Sequence, residues 1–273
     1  MKTKILLISL FIVCLGVGTI NAQKPIELIY KQIDTTKLKM LVYKPENIKP
    51  ASRCNAMVFF FGGGWVGGNI KQFEPFAIHY ATKGMVTVLV DYRVKSRNGT
   101  TPFESLKDAK TAMRYLKQNC KTLNINPDRI VASGGSAGGH LAAACFTNES
   151  INEQTDNLKI SSKPAVLLLF NPVIDNSKDG YGYDRVEEKW EEFSPLHNIL
   201  KGFPPTAFFL GTKDKLIPVK TSESFKSKID SVGSRCDLFL FENEQHGFFN
   251  QQKLRTDILS KADKFLTSIG YLR

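Results

Sequence analysis

The sequence is poor in residues that bind metal ions. It contains four histidines and five cysteines among 273 residues, and no two cysteines have the Cys-x-x-Cys spacing of common zinc and redox sites. The cysteines are Cys14, Cys54, Cys120, Cys145 and Cys236. We expect them to be packing residues first; an oxidising compartment would permit a disulfide, but the spacing does not indicate which pair would form it. We predict no metal site and no other cofactor.

Motifs for nucleotides and nucleic acids are also missing. The phosphate-binding pattern Gly-x-x-x-x-Gly-Lys-Ser/Thr does not occur. The net charge is +11 at pH 7, but the lysines and arginines are spread along the chain without an arginine-rich block. A solvated basic surface is the simpler interpretation, and weak attraction to anionic polysaccharide or membranes is the alternative. We predict no nucleic-acid partner.

The first 22 residues have a composition of their own. Lys2 and Lys4 precede the apolar run 5–17, and the small residue Ala22 follows. This order is typical of a cleaved secretory signal, because the run is shorter than the roughly 20 residues of a membrane-spanning helix. An uncleaved anchor is the alternative. We predict export to the periplasm or the extracellular space without stable membrane insertion, and one domain over residues 23–273 with a net charge of +9.

Apolar runs alternate with helical patterns along the rest of the chain. The strand-like runs are 55–61, 85–90, 129–133, 165–170, 206–210 and 237–241. Several are too uniformly apolar for a half-exposed strand, as expected of parallel strands covered on both faces. Apolar residues recur at steps of three and four over 103–116 and 254–269, which predicts amphipathic helices. The fold class is therefore α/β, with a mostly parallel sheet between helices.

One segment interrupts this alternation. Residues 172–205 contain a glycine- and tyrosine-rich stretch and an acidic stretch instead of a simple crossover helix. We interpret the segment as an insertion over the active site at the end of the sheet. Long connections are often functional, and surface decoration is the alternative.

A Gly-x-Ser-x-Gly pattern stands where a strand meets a helix. The run 129–133 leads into Gly-Gly-Ser-Ala-Gly-Gly at 134–139, and a helical pattern follows. Such a turn exposes Ser136 as a nucleophile, and side chains at Gly134 or Gly138 would collide with the neighbouring strand and helix. A phosphate cradle is the alternative, but no lysine follows the turn.

A serine nucleophile needs a base, and the base needs an orienting acid. His246 follows the last predicted strand, and Asp214 follows the strand before it, in the chain order Ser, Asp, His. Asp175 is the competing acid. The remaining histidines are expected to have packing or surface roles, with His197 the least certain; they are His79, His140 and His197.

These residues resemble the α/β-hydrolase carboxylesterases, and more narrowly the hormone-sensitive-lipase-like and feruloyl/acetylxylan-esterase-like enzymes. The resemblance covers nearly all of residues 23–273 and depends on five motifs in the family's order. The motifs are Gly62-Gly63-Gly64-Trp65, Asp91-Tyr92-Arg93, the segment 134–139, Gly211-Thr212-Lys213-Asp214 and His246-Gly247-Phe248. The resemblance implies an oxyanion hole formed by the N–H groups of Gly63, Gly64 and Ala137.

The sequence departs from the family pattern at Phe61. The family usually has a histidine before the glycines, where it steadies the loop without transferring protons. We predict that Phe61 supports the loop by packing. We also expect a side chain at Gly63 or Gly64 to stand where the oxyanion has to form.

The predicted function is that of a secreted serine carboxylesterase acting on short-chain or carbohydrate-linked acetyl or feruloyl esters through an acyl-enzyme. The substrate is a small-molecule ester or an ester on a polysaccharide. Four aromatic residues are candidate substrate contacts: Trp65, Tyr181, Tyr183 and Trp190. The alternatives are a peptidase of the prolyl-oligopeptidase kind and a non-catalytic binding module with the same fold.

Overall fold

The computed structural model describes residues 24–46, 48–49 and 51–273. The predicted signal segment 1–22, with Cys14, lies outside the described residues. Across the part that is described, no helix has both the length and the apolar character needed to span a membrane.

The centre of the molecule is one eight-stranded sheet with the order β1-β2-β4-β3-β5-β6-β7-β8. The strands are β1 Ile26–Ile33, β2 Thr36–Tyr43, β3 Cys54–Phe60, β4 Val86–Val90, β5 Ile125–Gly135, β6 Val166–Phe170, β7 Thr206–Gly211 and β8 Cys236–Phe241. β2 pairs antiparallel with β1 and β4, and all the other pairs are parallel. The predicted mostly parallel sheet is confirmed.

All six predicted strands are present, but the N-terminal hairpin of β1 and β2 was not predicted. β1 lies at the edge of the sheet, and four of its first five positions, up to Tyr30, are exposed or half-buried. Such a strand has no uniform apolar run in its sequence. β5 also begins at Ile125, four residues before the predicted run, because Ile125 pairs with Cys54 before an irregular stretch that separates it from the pairing of Ile130 with Ala56.

Helices cover both faces of the sheet, as predicted. They are α1 Glu74–Thr82, α2 Lys95–Asn98, α3 Pro102–Gln118, α4 Cys120–Leu123, α5 Ala137–Thr147, α6 Trp190–Phe193, α7 Val219–Ser231 and α8 Gln252–Ser268. Apolar residues of α3, α5 and α7 pack on one face, and those of α1 and α8 pack on the other. Alternate residues of β3 enter the two cores, with Val58 in the first and Phe59 in the second.

The two predicted amphipathic helices correspond to α3 and α8. α3 begins at a capping box between Thr101 and Glu104, with Pro102 at its first position, and both features favour a helix start. Its buried stripe includes Leu106, Ala109 and Met113. These contacts hold α3 beside α5, the helix that follows Ser136.

The cysteines within the described residues are all free. Cys145 and Cys236 are buried, and burial raises the pKa of each thiol to about 12. A thiol with so high a pKa stays protonated near neutral pH and is a poor nucleophile. Both side chains belong to the larger apolar core, so they act as packing residues.

Candidate active site

Ser136 occupies a strained turn between β5 and α5. Its backbone has φ +52° and ψ −120°, a conformation that non-glycine residues rarely adopt. A Cβ atom on Gly134 would lie 2.5 Å from the carbonyl of Gly138 and 2.6 Å from the Phe60 oxygen, and one on Gly138 would lie 2.1 Å from that oxygen. The predicted collision is therefore present: the small residues let the helix approach β3 and β5.

His246 links Ser136 to Asp214. The Nε2 atom of His246 lies 2.9 Å from the Ser136 hydroxyl, and its Nδ1 atom lies 2.8 Å from one Asp214 carboxylate oxygen. The other carboxylate oxygen accepts hydrogen bonds from the backbone N–H groups of Leu216 and Ile217 at 2.8 and 2.9 Å. The Asp214 side chain is fully buried. The carboxylate therefore favours the tautomer with a proton on Nδ1, which leaves Nε2 free to accept the serine proton.

The competing acid and two other histidines lie elsewhere. Asp175 lies 4.0 Å from His197, whose Nδ1 atom is 2.9 Å from the Ser194 hydroxyl. His79 pairs with Asp263 at 3.1 Å. The structure therefore brings Asp214, and not Asp175, to His246.

His140 is a packing residue beneath the nucleophile. It is fully buried in α5, and its Nε2 atom donates to the Phe193 carbonyl at 2.9 Å. Burial lowers the pKa of His140 to about 3, although the hydrogen bond opposes the shift. A neutral, buried imidazole of this kind does not serve as a general base near neutral pH.

Asn171 supports the histidine loop and was not predicted. It follows β6 directly, and its side-chain oxygen accepts from the Gly247 N–H at 3.0 Å. Its amide nitrogen lies 3.4 Å from Nε2 of His246. The sequence did contain a clue, because Asn171 is a polar residue at the end of a buried strand whose neighbours carry Ser136 and Asp214.

The glycine loop after β3 presents unpaired backbone donors. Within the described residues, the N–H groups of Gly63, Gly64 and Ala137 have no hydrogen-bond acceptor. The preceding N–H, of Gly62, donates instead to the Gln72 side-chain oxygen at 2.6 Å. Three free donors close to a serine hydroxyl are the arrangement that an oxyanion hole requires.

The surrounding structure gives its own reason for glycine at positions 63 and 64. Gly63 has φ +137°, and an added Cβ would lie 2.1 Å from the Gly67 carbonyl oxygen. Gly64 has φ +62°, and its Cβ would approach Arg185 at 2.9 Å and Tyr181 at 3.0 Å. A tight turn therefore excludes a side chain at Gly63, and the insertion crowds one at Gly64. That such side chains would also stand where the oxyanion has to form stays a prediction.

Phe61 is packed beneath the glycine loop. It is buried, and its ring stacks on Tyr92 with centroids 4.1 Å apart. The Tyr92 hydroxyl donates to the Phe61 carbonyl at 2.6 Å. A Cβ atom on Gly68 would lie 2.2 Å from the Phe61 ring, so the loop closes tightly over it. The contacts agree with support by packing, and its effect on activity stays a prediction.

Ser136 and His246 line an open cleft of about 410 Å³. The insertion contributes Tyr181 to the wall, and Phe249 provides a second aromatic ring. Exposed apolar residues, Val66 and Leu216, stand at the margin. Phe249 lies beneath the turn: a Cβ atom on Gly135 would lie 2.3 Å from the Phe249 ring.

Trp65 does not line this cleft. Its side chain is 1% exposed and packs edge-on against His140 and Phe193. Its backbone, at φ +59°, turns the ring away from the loop surface into the core. The predicted substrate contact at Trp65 is therefore replaced by a structural role.

Tyr183 and Trp190 also lie away from the cleft lining. Lys178 sits over the Tyr183 ring at 5.9 Å, and Trp190 packs edge-on against His197 with centroids 4.9 Å apart. Both belong to the insertion, and Trp190 is partly buried against the larger apolar core. Of the four predicted aromatic contacts, only Tyr181 reaches the cleft.

Comparisons with known proteins give a consistent family. Residues 40–177 match the family model BD-FAE. The chain is 26% identical over 246 residues to an acetylxylan esterase of Xylanibacter ruminicola, covering 84% of this chain and 48% of that protein. It is 26% identical over 249 residues to isoprenylcysteine alpha-carbonyl methylesterase ICME of Arabidopsis thaliana, covering 81% and 57%. The chain thus spans about half the length of these curated relatives.

Solved structures match over almost the whole fold. Apo esterase 2 of Thermogutta terrifontis has 39% identity and a TM-score of 0.88, covering 92% of this chain and 97% of that one. The same esterase phosphorylated by paraoxon has 39% identity and a TM-score of 0.87, covering 92% and 96%. Together with the strand order and the turn at Ser136, these matches show that the chain belongs to the BD-FAE family of α/β-hydrolase carboxylesterases.

Proposed function

We propose that this protein is a serine carboxylesterase in which Ser136, His246 and Asp214 form the catalytic triad. The observation that carries the proposal is the continuous hydrogen-bonded path from the buried Asp214 carboxylate through His246 to the Ser136 hydroxyl. Each link is shorter than 3.0 Å, which is the range required for proton transfer and for orienting the base.

The reaction proceeds in two acyl-transfer steps. The Ser136 oxygen attacks the ester carbonyl while Nε2 of His246 takes its proton, and Asp214 stabilises the charged imidazolium. The imidazolium then protonates the departing alcohol, which leaves an acyl group on Ser136. Water, deprotonated by the same imidazole, attacks the acyl-enzyme and releases the acid.

The oxyanion of each tetrahedral intermediate accepts hydrogen bonds from Gly63, Gly64 and Ala137. Support comes from the absence of intramolecular acceptors for these N–H groups within the described residues. Donors that are already unpaired and fixed by tight turns need no reorganisation when the negative charge develops.

The acyl group is short, from acetyl to butyryl. The cleft of about 410 Å³ is open and has few apolar walls beyond Phe249, Val66 and Leu216. Thermogutta terrifontis esterase 2 has been solved with propionate and with butyrate bound. The acetylxylan esterase relative supports acetylated carbohydrate as one natural substrate. Among the described lining residues, Tyr181 and Phe249 offer the rings for a feruloyl group, so we expect feruloyl esters to be poorer substrates than acetyl esters.

The test is a series of p-nitrophenyl esters from acetate to dodecanoate, with acetylated xylan and methyl ferulate beside it. Ser136→Ala serves as the matched control. We expect the highest kcat/KM with acetate to butyrate and no turnover by the variant. Activity confined to the longest chains would contradict a short-acyl cleft, and equal turnover by Ser136→Ala would contradict the triad.

Paraoxon provides a second readout that separates an esterase from a non-catalytic binding module. We expect one phosphoryl adduct on the intact protein, mapped to Ser136 by peptide mass spectrometry. Absence of an adduct in folded protein would favour the binding module. Turnover of proline-linked chromogenic peptides would favour the peptidase instead.

Export remains a proposal supported by the charged and apolar order of residues 1–22. Expression of the full chain, followed by N-terminal sequencing of the exported protein, tests it. We expect the mature protein to begin at Gln23; an intact N-terminus in the membrane fraction would support the anchor instead.

A further inference from the structure

Arg185, which the sequence analysis did not select, carries the only permanent charge among the described residues that line the cleft. It comes from the insertion, at the end of a short helix, Tyr183–Arg185. Its side chain is 30% exposed, so the guanidinium lies at the boundary between the insertion and the cleft. A permanent positive charge that lines the same cleft as Ser136 influences which substrates can bind.

The guanidinium is held in place without being neutralised. Its Nη1 atom donates to the Gly64 carbonyl at 2.7 Å, and the group lies over the Tyr181 ring at 5.1 Å from the centroid. The nearest carboxylate is that of Asp184, 3.9 Å from Nε, and the Asp184 side chain is 79% exposed. An ion pair that is so long and so exposed contributes little.

The Nη2 group of Arg185 has no acceptor among the described residues. A guanidinium presents paired N–H groups whose spacing matches a carboxylate, and such charge-assisted pairs are stronger than neutral hydrogen bonds. The Nε and Nη2 edge is therefore the part of Arg185 available to a ligand, while Nη1 stays on the loop.

We propose that Arg185 selects esters that carry a carboxylate close to the ester bond. The inference depends on the proposed esterase function. Two chemical sources fit: a uronic acid or other acid on the alcohol portion, and a dicarboxylic half-ester on the acyl portion. The net charge of +9 predicted for residues 23–273 adds a long-range attraction for either substrate.

The test compares matched pairs of neutral and anionic esters. For the alcohol portion the pair is methyl 4-acetoxybenzoate and 4-acetoxybenzoate; for the acyl portion it is p-nitrophenyl valerate and mono-p-nitrophenyl succinate. Each pair is measured with wild type, Arg185→Gln, Arg185→Lys and the control Lys189→Gln. Lys189 is a charged residue of the same insertion that does not line the cleft.

We expect Arg185→Gln to lower kcat/KM for the anionic member of one pair about 10- to 100-fold more than for its neutral partner, mainly through KM. The pair that responds identifies the portion that carries the carboxylate. Arg185→Lys should retain part of the preference, and Lys189→Gln all of it. Melting temperatures confirm that the variants are folded. An equal loss for neutral and anionic esters in both pairs would overturn the inference, because Arg185 would then only hold the Gly64 loop.

Binding to Ser136→Ala keeps this inference separate from the proposed function. Calorimetry with 4-acetoxybenzoate and with mono-p-nitrophenyl succinate needs no turnover. We expect the double variant Ser136→Ala/Arg185→Gln to bind the responding anion about 10-fold or more weakly than Ser136→Ala. Equal affinities for both anions would overturn the carboxylate site, whereas anion binding by wild type without hydrolysis of any ester would overturn only the esterase.

Discussion

The Nε2 atom of His246 lies 2.9 Å from the Ser136 hydroxyl, although 110 positions separate the two residues in the sequence. They follow β8 and β5, strands that are not neighbours in the sheet, with β6 and β7 between them. The loop after β8 therefore has to cross the carboxyl ends of two strands to reach the serine. Asn171, at the end of β6, holds that loop through the Gly247 N–H at 3.0 Å.

Replacing the acid should reduce catalysis strongly. We expect Asp214→Asn to lower kcat about 10,000-fold, because the amide favours the wrong imidazole tautomer and does not stabilise the imidazolium. The control is Asp175→Asn, the competing carboxylate that lies beside His197. Steady-state kinetics with p-nitrophenyl acetate measures both. A comparable loss of kcat in Asp175→Asn would contradict the assignment of Asp214 as the acid of the triad.

The turn at Ser136 should not tolerate a methyl group on Gly134. The added Cβ would lie 2.5 Å from backbone atoms of Gly138, where neither strand nor helix can yield easily. We expect Gly134→Ala to lower the free energy of unfolding by about 1–3 kcal/mol, or to prevent folding. Gly67→Ala is the control, since its Cβ would meet only Ser96 at 3.6 Å. Urea unfolding of both variants checks the difference, and equal stabilities would refute the steric account.

Phe61 should contribute to stability through its buried ring. We expect Phe61→Ala to lower the free energy of unfolding by about 3–5 kcal/mol and to reduce kcat as the glycine loop loses its support. Phe61→Leu, which keeps most of the volume, should lose less of both. Thermal unfolding and ester kinetics make the comparison. Unchanged activity and unchanged Tm in Phe61→Ala would rule out support by packing.

The buried His140 should make stability depend on pH. Its pKa is lowered to about 3 in the folded protein by burial, while an unfolded chain has a histidine pKa of about 6.5. Between these two pKa values the unfolded state binds more protons than the folded state. The contribution of neutral His140 to the free energy of unfolding is therefore complete above pH 6.5 and is lost as the pH falls toward 3. Between pH 7 and pH 5 the loss should be about 2 kcal/mol.

The corresponding variant is His140→Gln, which retains a donor for the Phe193 carbonyl. In urea unfolding, the free energy of unfolding of His140→Gln should fall less between pH 7 and pH 5 than that of wild type, by about 2 kcal/mol. His197→Gln, a more exposed histidine, is the matched control. An identical pH dependence in wild type and His140→Gln would show that buried His140 does not make stability depend on pH.

Much of the fold could be predicted because its determinants are local. Uniform apolar runs indicate buried parallel strands, and steps of three and four indicate α3 and α8. The edge strand β1 could not be found this way, because Glu27, Lys31 and Gln32 interrupt its apolar residues and its pairing depends on β2. The triad of Ser136, Asp214 and His246 could likewise be predicted, because each residue comes after a predicted strand and the three occur in the order Ser, Asp, His.

The lining of the cleft could not be predicted in the same way. Trp65 and Tyr181 are equally plausible contacts in the sequence, yet one ring turns into the core and the other lines the cleft. Arg185 and Gln72 reach the glycine loop from segments whose positions are set by tertiary packing.

Local sequence patterns were enough to predict the alternation of strands and helices, the strained turn at Ser136 and the residue types available for a triad, because these depend on neighbouring residues and on side-chain chemistry. Tertiary packing was needed to establish that Asp214 rather than Asp175 meets His246, that three N–H groups have no acceptor among the described residues, and that Arg185 lines the cleft. Those outcomes depend on distances between segments far apart in the chain, which no local pattern encodes.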